Sequence, residues 1–169
     1  MSPDGTRLFV SEDQGARIRQ VVIATQTVTT LAGSGTSGTT DGLGTTATFT
    51  NPDGITIDPT GTYLYVAQWN RYIRQVAVGT GAVTTIAGTG NQGSDDGFGT
   101  LATFNRPYGI TMATQDIIYI QDCRAPADLN RCGGIAAQTE FWKCPAAPTT
   151  CSCAHPPRPQ TTRRSANWT

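Results

Sequence analysis

The sequence has no excess of charge of either sign. Its 169 residues contain 12 lysines and arginines against 12 aspartates and glutamates, and no basic run interrupts the part that repeats. Binding to nucleic acid or to an anionic membrane surface depends on such basic patches, so we expect neither as a partner. No apolar run approaches the roughly 18 residues of a membrane span, and the N-terminus lacks the basic start and apolar middle of a signal peptide.

Glutamate and histidine are scarce. The two glutamates are Glu12, which we place in an exposed loop, and Glu140 near the C-terminus, while His155, the one histidine, lies among prolines. A catalytic triad or proton relay based on histidine therefore has no scaffold. We predict a chain that is not an enzyme, with no catalytic residues, no metal ligands and no cofactor.

Cysteine is absent from the first 122 residues. The spacings of the cysteines that follow fit no standard four-ligand zinc site, and their odd number leaves at least one without a partner in this chain. Oxidised pairs in a secreted or extracellular protein are the interpretation we favour; free thiols in a tail without a structural role are the alternative. The five are Cys123, Cys132, Cys144, Cys151 and Cys153.

A repeat of 55 residues dominates the rest of the sequence. Residues 41–57 and 96–112 are identical at 11 of 17 positions, and residues 18–35 and 73–90 at 11 of 18 with the same spacing. A further copy begins at residue 2, with one extra residue before Ile18. Self-similarity at a fixed period predicts stacked units that cannot bury their apolar faces alone.

The one complete unit, residues 51–90, contains four β-rich runs. Turn residues separate them in the way that is typical of hairpins, and four strands in one antiparallel meander form a blade of a β-propeller. The third run has an imperfect alternation of apolar residues, which predicts a twisted or bulged strand. The four runs are residues 54–57, 63–67, 72–78 and 82–87.

We therefore predict an all-β fold, an incomplete β-propeller with blades of four antiparallel strands and an irregular C-terminal tail containing cysteine and proline. A closed propeller takes about four to eight blades, whereas 169 residues allow only about three, so we expect a fragment. The tail is either a real extension or sequence read beyond the end of a true exon. The propeller part is 1–122, with a partial blade at 1–32, a full blade at 51–87 and a partial blade at 107–122; the irregular or disordered tail is 123–169.

Two long connections rich in glycine, serine and threonine, residues 33–50 and 88–105, each end in Ala-Thr-Phe. Because Phe49 and Phe104 recur at matched positions, we expect both connections to be anchored. Each phenylalanine should fill the space between two blades.

The unit GITIDPTGTYLYVAQWNRYIRQV, flanked by TIAGTG and DGFGTLATF, resembles the NHL repeat of six-bladed, TolB-like β-propellers in its longer form. The resemblance covers about residues 2–122, or roughly two and a half blades. It departs from the pattern in the first copy, which has Gly15-Ala16-Arg17 where Asn70-Arg71-Tyr72 stands later. The resemblance implies a non-enzymatic module that binds a protein partner, with a glycan as a second possibility.

An enzyme related to the calcium-dependent lactonases of the gluconolactonase type is the alternative function. The recurring Asp41-Gly42 and Asp95-Asp96-Gly97 could contact calcium but lack the dense series of oxygen ligands of a dedicated loop. We favour turns whose carboxylates accept hydrogen bonds from nearby backbone donors. For Arg19 and Arg74, at matched strand positions, we expect the aliphatic stem to pack on a neighbouring strand and the charged head to lie in water.

Topology predicts where a partner binds. In an antiparallel meander, the turn after the second strand and the connection after the fourth lie on the same side of the blade. That side combines residue types that are enriched at interfaces, although simple packing of the aromatic residues on the connection is the alternative. The predicted interaction face consists of Trp69, Asn70, Arg71, Arg106 and Tyr108. The uncovered faces of the outer blades should also promote self-association.

Overall fold

A computed structural model describes residues 1–114 and 117–123. Our expectations for the tail, for Glu140, for His155 and for all the cysteines except Cys123 lie outside the described residues. Cys123 itself is disulfide-bonded.

The described residues form ten β-strands and two single 3-10 turns. The strands are β1 (Arg7–Glu12), β2 (Arg17–Val22), β3 (Thr27–Ala32), β4 (Gly42–Leu43), β5 (Pro52–Ile57), β6 (Tyr63–Gln68), β7 (Ile73–Ala77), β8 (Ala82–Ala87), β9 (Pro107–Thr114) and β10 (Ile117–Asp122), and the 3-10 turns lie at Gly44–Thr46 and Gly99–Leu101.

The strands form three antiparallel sheets, one for each repeat unit. The first blade has the order β1-β2-β3, the second β4-β8-β7-β6-β5, and the third, as far as it is described, β9-β10. The all-β fold with antiparallel blades agrees with the prediction. The second blade carries one strand more than predicted, because β4 from the preceding connection pairs with the outer strand β8. This short strand covers an edge that would otherwise expose unpaired backbone groups.

In the complete unit β8 has the predicted boundaries, and the boundaries of β5, β6 and β7 differ from the predicted ones by one or two residues. Pro52 and Pro107 are the first residues of β5 and β9. The first position of an edge strand tolerates a residue without an N–H donor, so proline can begin the strand. The predicted irregularity in the third strand is confirmed, since the pairing of β7 with β8 shifts register between Ile73 and Arg74.

The core between the first and second blades is built around Phe49. Its side chain is fully buried and packs among Ile18 and Ala32 of the first blade and Leu64 and Val66 of the second. The predicted role of this phenylalanine between blades is confirmed. Phe104 occupies the matched place between the second and third blades, among Ala67, Ile73, Ala87, Ile118 and Ile120.

The same strand face makes both interfaces between blades. Leu64 and Val66 of β6 face the first blade, and their counterparts Ile118 and Ile120 of β10 face the second. In the first blade the matching face of β1 carries Leu8 and Val10, which are 40% and 45% exposed. This face of β1 is therefore an apolar blade surface that the described residues leave uncovered.

Candidate functional site

The turn between β6 and β7 meets the start of β9 on one side of the molecule. The backbone N–H of Trp69 donates to the carbonyl oxygen of Asn51 at 3.1 Å. This bond holds the turn beside the start of β5, the first strand of the same blade, and we call the first strand of a blade its inner strand. Next to it begins β9, the inner strand of the third blade, with Arg106 immediately before it. Residues from two blades thus converge at the ends of the inner strands.

Trp69, Arg106 and Tyr108 form a cluster, which we call the arginine–aromatic cluster. The guanidinium carbon of Arg106 lies 3.5 Å from the centre of the Trp69 ring and 6.0 Å from the centre of the Tyr108 ring. Both rings remain accessible, with Trp69 42% and Tyr108 46% exposed. A guanidinium stacked on an indole in this way is a cation–π contact, so these side chains are ordered before any partner arrives.

Asn70 and Arg71 have a different environment from the arginine–aromatic cluster. The Arg71 side chain donates from Nε to the carbonyl oxygen of Asn105 at 3.2 Å and from Nη1 to that of Gly90 at 3.3 Å. It also has a positive φ of 72°, which costs free energy in a residue other than glycine. Asn70 is half-buried. These contacts tie the turn to the connection, so the geometry gives Arg71 a structural role.

A second junction, between the first and second blades, repeats this arrangement with other residues. Aligned by the repeat, Asp13 corresponds to Trp69, Asn51 to Arg106, and Asp53 to Tyr108. The Asn51 amide donates from Nδ2 to Oδ1 of Asp13 at 2.5 Å, where the next junction has the stacked arginine and indole. The scaffold is the same, but one junction is acidic and the other is cationic and aromatic.

An open pocket of about 310 Å³ lies between the two junctions. Residues of all three blades line it, including residues of the inner strands β5 and β9. A Cβ atom on Gly54 would come within 2.3 Å of the carbonyl oxygen of Tyr108, so glycine is required there. The lining residues are Ser11, Asp13, Pro52, Asp53, Gly54, Ile55, Tyr108, Gly109 and Ile110.

Asp53 is the half-buried carboxyl of this pocket. Its pKa is raised above the ordinary value, chiefly because burial disfavours the charged form and also because Asp13 lies nearby, while Arg106 opposes the shift. The Oδ2 atom of Asp53 is buried and has no hydrogen-bond partner among the described residues. Ser11 donates its hydroxyl to the backbone oxygen of Asp53, 2.6 Å away, and not to the carboxylate.

The prediction for Arg74 was wrong, because its charged head is fully buried and not in water. Nη2 lies 2.7 Å from Oδ1 of Asp41, and Nη1 donates to Oε1 of Gln68 at 2.9 Å. Burial lowers the pKa of Arg74, and the Asp41 carboxylate opposes that shift. The connection of residues 33–50 supplies this carboxylate, and an arginine keeps its charge even when it is buried.

Asp41 and Glu12, which we considered as possible ligand or catalytic residues, also make structural contacts. Asp41 accepts the backbone N–H of Thr85 at 3.0 Å, as expected for a carboxylate bonded to backbone donors, but its ion pair with Arg74 was not foreseen. Glu12 ends β1 instead of lying in an exposed loop, and it pairs with Arg19 at 2.8 Å. Within residues 1–114 and 117–123, no three histidine, cysteine or acidic side chains are grouped to hold a metal ion, and no helix is long and apolar enough to cross a membrane.

Sequence reasoning missed the acidic junction. Asp13, Asn51 and Asp53 received no role, although they occupy the repeat positions that correspond to Trp69, Arg106 and Tyr108. The signal was therefore available: positions that share a scaffold but differ in chemistry between repeats are candidates for binding. Arg71 was chosen because arginine is enriched at interfaces, and Asn70 because it lies in the same turn.

Comparison with known proteins gives the fold. No protein-family model matches the sequence, and no curated protein matches it. Among solved structures, a protein of unknown function from Bacteroides thetaiotaomicron VPI-5482 is 24% identical with a TM-score of 0.63, over 70% of this chain and 30% of that one. Two auxiliary nutrient binding proteins are also similar. The one from Bacteroides ovatus ATCC 8483 is 24% identical with a TM-score of 0.61, over 72% and 33% of the two chains. The one from Bacteroides thetaiotaomicron VPI-5482 is 25% identical with a TM-score of 0.60, over 73% and 34%.

The chain thus spans about a third of the length of these structures. Together with the antiparallel blades, the similarity establishes a β-propeller-like fold.

Proposed function

We propose that the chain is part of an NHL-type propeller that serves as a non-enzymatic binding module, and that its arginine–aromatic cluster contacts a protein partner. One observation carries the proposal: Trp69 and Tyr108 stay almost half exposed although Arg106 holds them in a fixed arrangement. Tryptophan, tyrosine and arginine are the residues that most often dominate the energy of protein interfaces. Rings that are already ordered lose little conformational entropy when a partner binds.

The proposal separates two roles within the predicted interaction face. Trp69, Arg106 and Tyr108 contact the partner, whereas Arg71 holds the turn on the connection through its bonds to Asn105 and Gly90. Packing of the aromatic residues on the connection is the alternative that we weighed from the sequence. Trp69 stays 42% exposed although Arg106 stacks on its ring, and the exposed part of the indole is available to a partner.

A glycan is the second candidate partner. A similar structure, 25% identical to this chain, is an auxiliary nutrient binding protein, and exposed aromatic rings beside polar groups also suit a sugar ligand. The hydrolase alternative gains no such support, because no three histidine, cysteine or acidic side chains of the described residues are grouped to hold a metal ion.

The test uses the longest natural protein that contains this chain. Binding proteins are captured from the extracellular fraction of the source and identified, the main one is purified, and its dissociation constant is measured for each variant. We expect Trp69→Ala and Arg106→Ala to weaken binding about tenfold or more, as interface hot spots do. Glycan binding is measured in parallel on an oligosaccharide array.

Two control variants separate binding from folding. Leu43→Ala removes an exposed apolar side chain from β4, which pairs with the first residues of β8 at the opposite side of the blade, and should leave binding unchanged. Arg71→Ala should lower the melting temperature but leave the affinity of the remaining folded protein unchanged. Unaltered binding of both protein and glycans by folded Trp69→Ala and Arg106→Ala would refute the proposed function.

A further inference from the structure

We propose that the uncovered face of the first blade binds the glycine-rich connection of a further repeat unit, in a longer polypeptide that contains this chain. We also propose that Glu12 selects a connection that is neutral at the position of Asp41. The face lies on β1, β2 and β3 and contains no residue of the arginine–aromatic cluster. The proposal rests on the propeller architecture proposed above, but not on the protein partner of that cluster.

The second blade shows how such a face is covered. Residues 40–49 of the preceding connection contact it in three ways. Strand β4 pairs with the edge of β8, Phe49 packs among the apolar side chains of the face, and Asp41 accepts a hydrogen bond from Nη2 of Arg74 at 2.7 Å. One segment thus covers a strand edge and an apolar surface and also pairs with a buried cation.

The first blade has the same three features without such a segment. Leu8 and Val10 are 40% and 45% exposed, and β3, the counterpart of β8, is the edge strand of its sheet. Arg19 corresponds to Arg74, but its side chain is 28% exposed, against 0% for Arg74. Nη1 of Arg19 pairs with Glu12 at 2.8 Å, whereas Nη2 has no hydrogen-bond partner within the part of the chain that the structure describes. The first blade therefore matches the second with its connection removed.

The source of the countercharge distinguishes the two faces. In the second blade the connection supplies the carboxylate of Asp41, and the strand supplies neutral Gln68, whose Oε1 accepts from Nη1 of the arginine at 2.9 Å. In the first blade Glu12 holds the position of Gln68 and already balances the charge of Arg19.

A connection with an aspartate would bring a second carboxylate to the pair of Glu12 and Arg19. Covering the face would also remove the water that screens the repulsion between the two carboxylates. An asparagine at that position avoids the repulsion, and its carbonyl oxygen still accepts from Nη2 of Arg19. The carboxylate of Glu12 thus acts against connections of the Asp41 type, which is specificity through a repulsive element.

Two synthetic peptides test the proposal on the 169-residue chain. One has the sequence of residues 39–50, TTDGLGTTATFT, and the other carries the substitution Asp41→Asn. Fluorescence anisotropy of the labelled peptides gives their dissociation constants for the wild type and for Glu12→Gln. We expect the wild type to bind the Asp41→Asn peptide about fivefold more tightly than the unchanged peptide, and Glu12→Gln to reverse this preference, as expected for a partly exposed charge pair. Self-association of the chain weakens both peptides alike, so the ratio of the two constants is unaffected.

A charged variant of the face is the control for the binding site. Leu8→Lys combined with Val10→Lys should abolish binding of both peptides, and its folding is checked by its backbone amide NMR spectrum. Equal binding of the two peptides by the wild type, an unchanged preference in Glu12→Gln, or undiminished binding by the folded double variant would overturn the proposal. Binding of neither peptide by the wild type would also overturn it and would leave a second copy of the chain as the occupant of the face.

Trp69→Ala separates this inference from the proposed protein-binding function. The substitution should weaken capture of the protein partner and leave the binding of both peptides unchanged. Failure of the arginine–aromatic cluster to bind a partner and failure of the first blade to bind the peptides therefore give different results.

Discussion

The buried guanidinium of Arg74 in the second blade lies 2.7 Å from the carboxylate of Asp41, 33 residues earlier in the connection between blades. Arg74 also donates to the carbonyl oxygens of Thr40 and Thr48, at 3.1 Å each. Its charged head stands 5.3 Å from the centre of the Phe49 ring. One side chain thus fixes the middle and the C-terminal part of the glycine-rich connection on the blade, which helps to explain how a segment of such flexible composition is ordered.

Removing the carboxylate from this ion pair should destabilise the protein. Asp41→Asn leaves a buried cation with only neutral acceptors, and we expect a loss of about 1–3 kcal/mol in the free energy of unfolding. The loss stays below the roughly 3–5 kcal/mol of a wholly buried pair, because the Asp41 side chain is 47% exposed. Urea denaturation measures the difference.

Asp96 offers a matched control for this prediction. It holds the position of Asp41 in the next connection, but it is exposed and makes no ion pair within the part of the chain that the structure describes. Asp96→Asn should therefore change stability by less than about 0.5 kcal/mol. Equal effects of Asp41→Asn and Asp96→Asn would show that the ion pair with Arg74 contributes nothing.

Two phenylalanines of the connections should differ sharply in their effect on stability. Phe49 is fully buried between two blades, whereas Phe98 is 80% exposed. Phe49→Ala should cost about 3–5 kcal/mol, as expected for deletion of a buried aromatic ring, or prevent folding altogether. Phe98→Ala should shift the urea midpoint little. If Phe49→Ala melts like the wild type, the assignment of this ring to the core between blades is wrong.

The uncovered face of the first blade should make the chain self-associate. Leu8 of β1 pairs with Val21 of β2, which pairs with Val28 of β3, so their side chains share one face with Val10. In the second and third blades, the matching face is buried against a neighbouring blade. We expect sedimentation velocity to show association that increases with protein concentration, because the apolar face excludes water when it is covered.

Charges on that face should abolish the association. The double substitution Leu8→Lys and Val10→Lys places two positive charges there, and the variant should sediment as a monomer. Leu101→Lys, at a residue that is 73% exposed in the second connection, serves as the control with the same kind of change and should associate like the wild type. A monomeric wild-type chain at every concentration would contradict the prediction.

Local sequence patterns predicted the strands. The features that were not predicted depend on contacts between residues that are far apart in the sequence. The β-rich runs between turn residues located β5 to β8 of the second blade, and the matched phenylalanines located both cores. In contrast, β4 is only two residues long and exists because β8 presents a free edge. The burial of Arg74 depends on Asp41 in another repeat unit, so the exposed head expected for a strand arginine was wrong.

In the candidate site, too, the sequence predicted some features, and others became visible only in the folded structure. Topology placed the turn at Trp69 beside the start of the next inner strand, and the two are in contact through Arg106. It could not show that Arg71 bonds to the connection, because these bonds depend on the backbone conformation of a single residue. The acidic junction was missed because Asp13, Asn51 and Asp53 come from two repeat units and meet only in the folded chain.

Asp53 should titrate at a higher pH than an ordinary aspartate. Burial and the nearby Asp13 carboxylate raise its pKa, and Arg106 partly offsets them. A carboxyl whose pKa is higher in the folded than in the unfolded state weakens folding as pH rises from the ordinary value, about 3.9, through the raised one. The ionised form of Asp53 therefore lowers the free energy of unfolding at neutral pH, and Asp53→Asn should stabilise the protein at pH 7 but not at pH 3.

Carboxyl carbon NMR measures the pKa of Asp53 directly. Asp13→Asn should lower this pKa, and Arg106→Ala should raise it. An Asp53 that titrates near 3.9 and responds to neither substitution would show that the pocket imposes no electrostatic cost on this carboxyl.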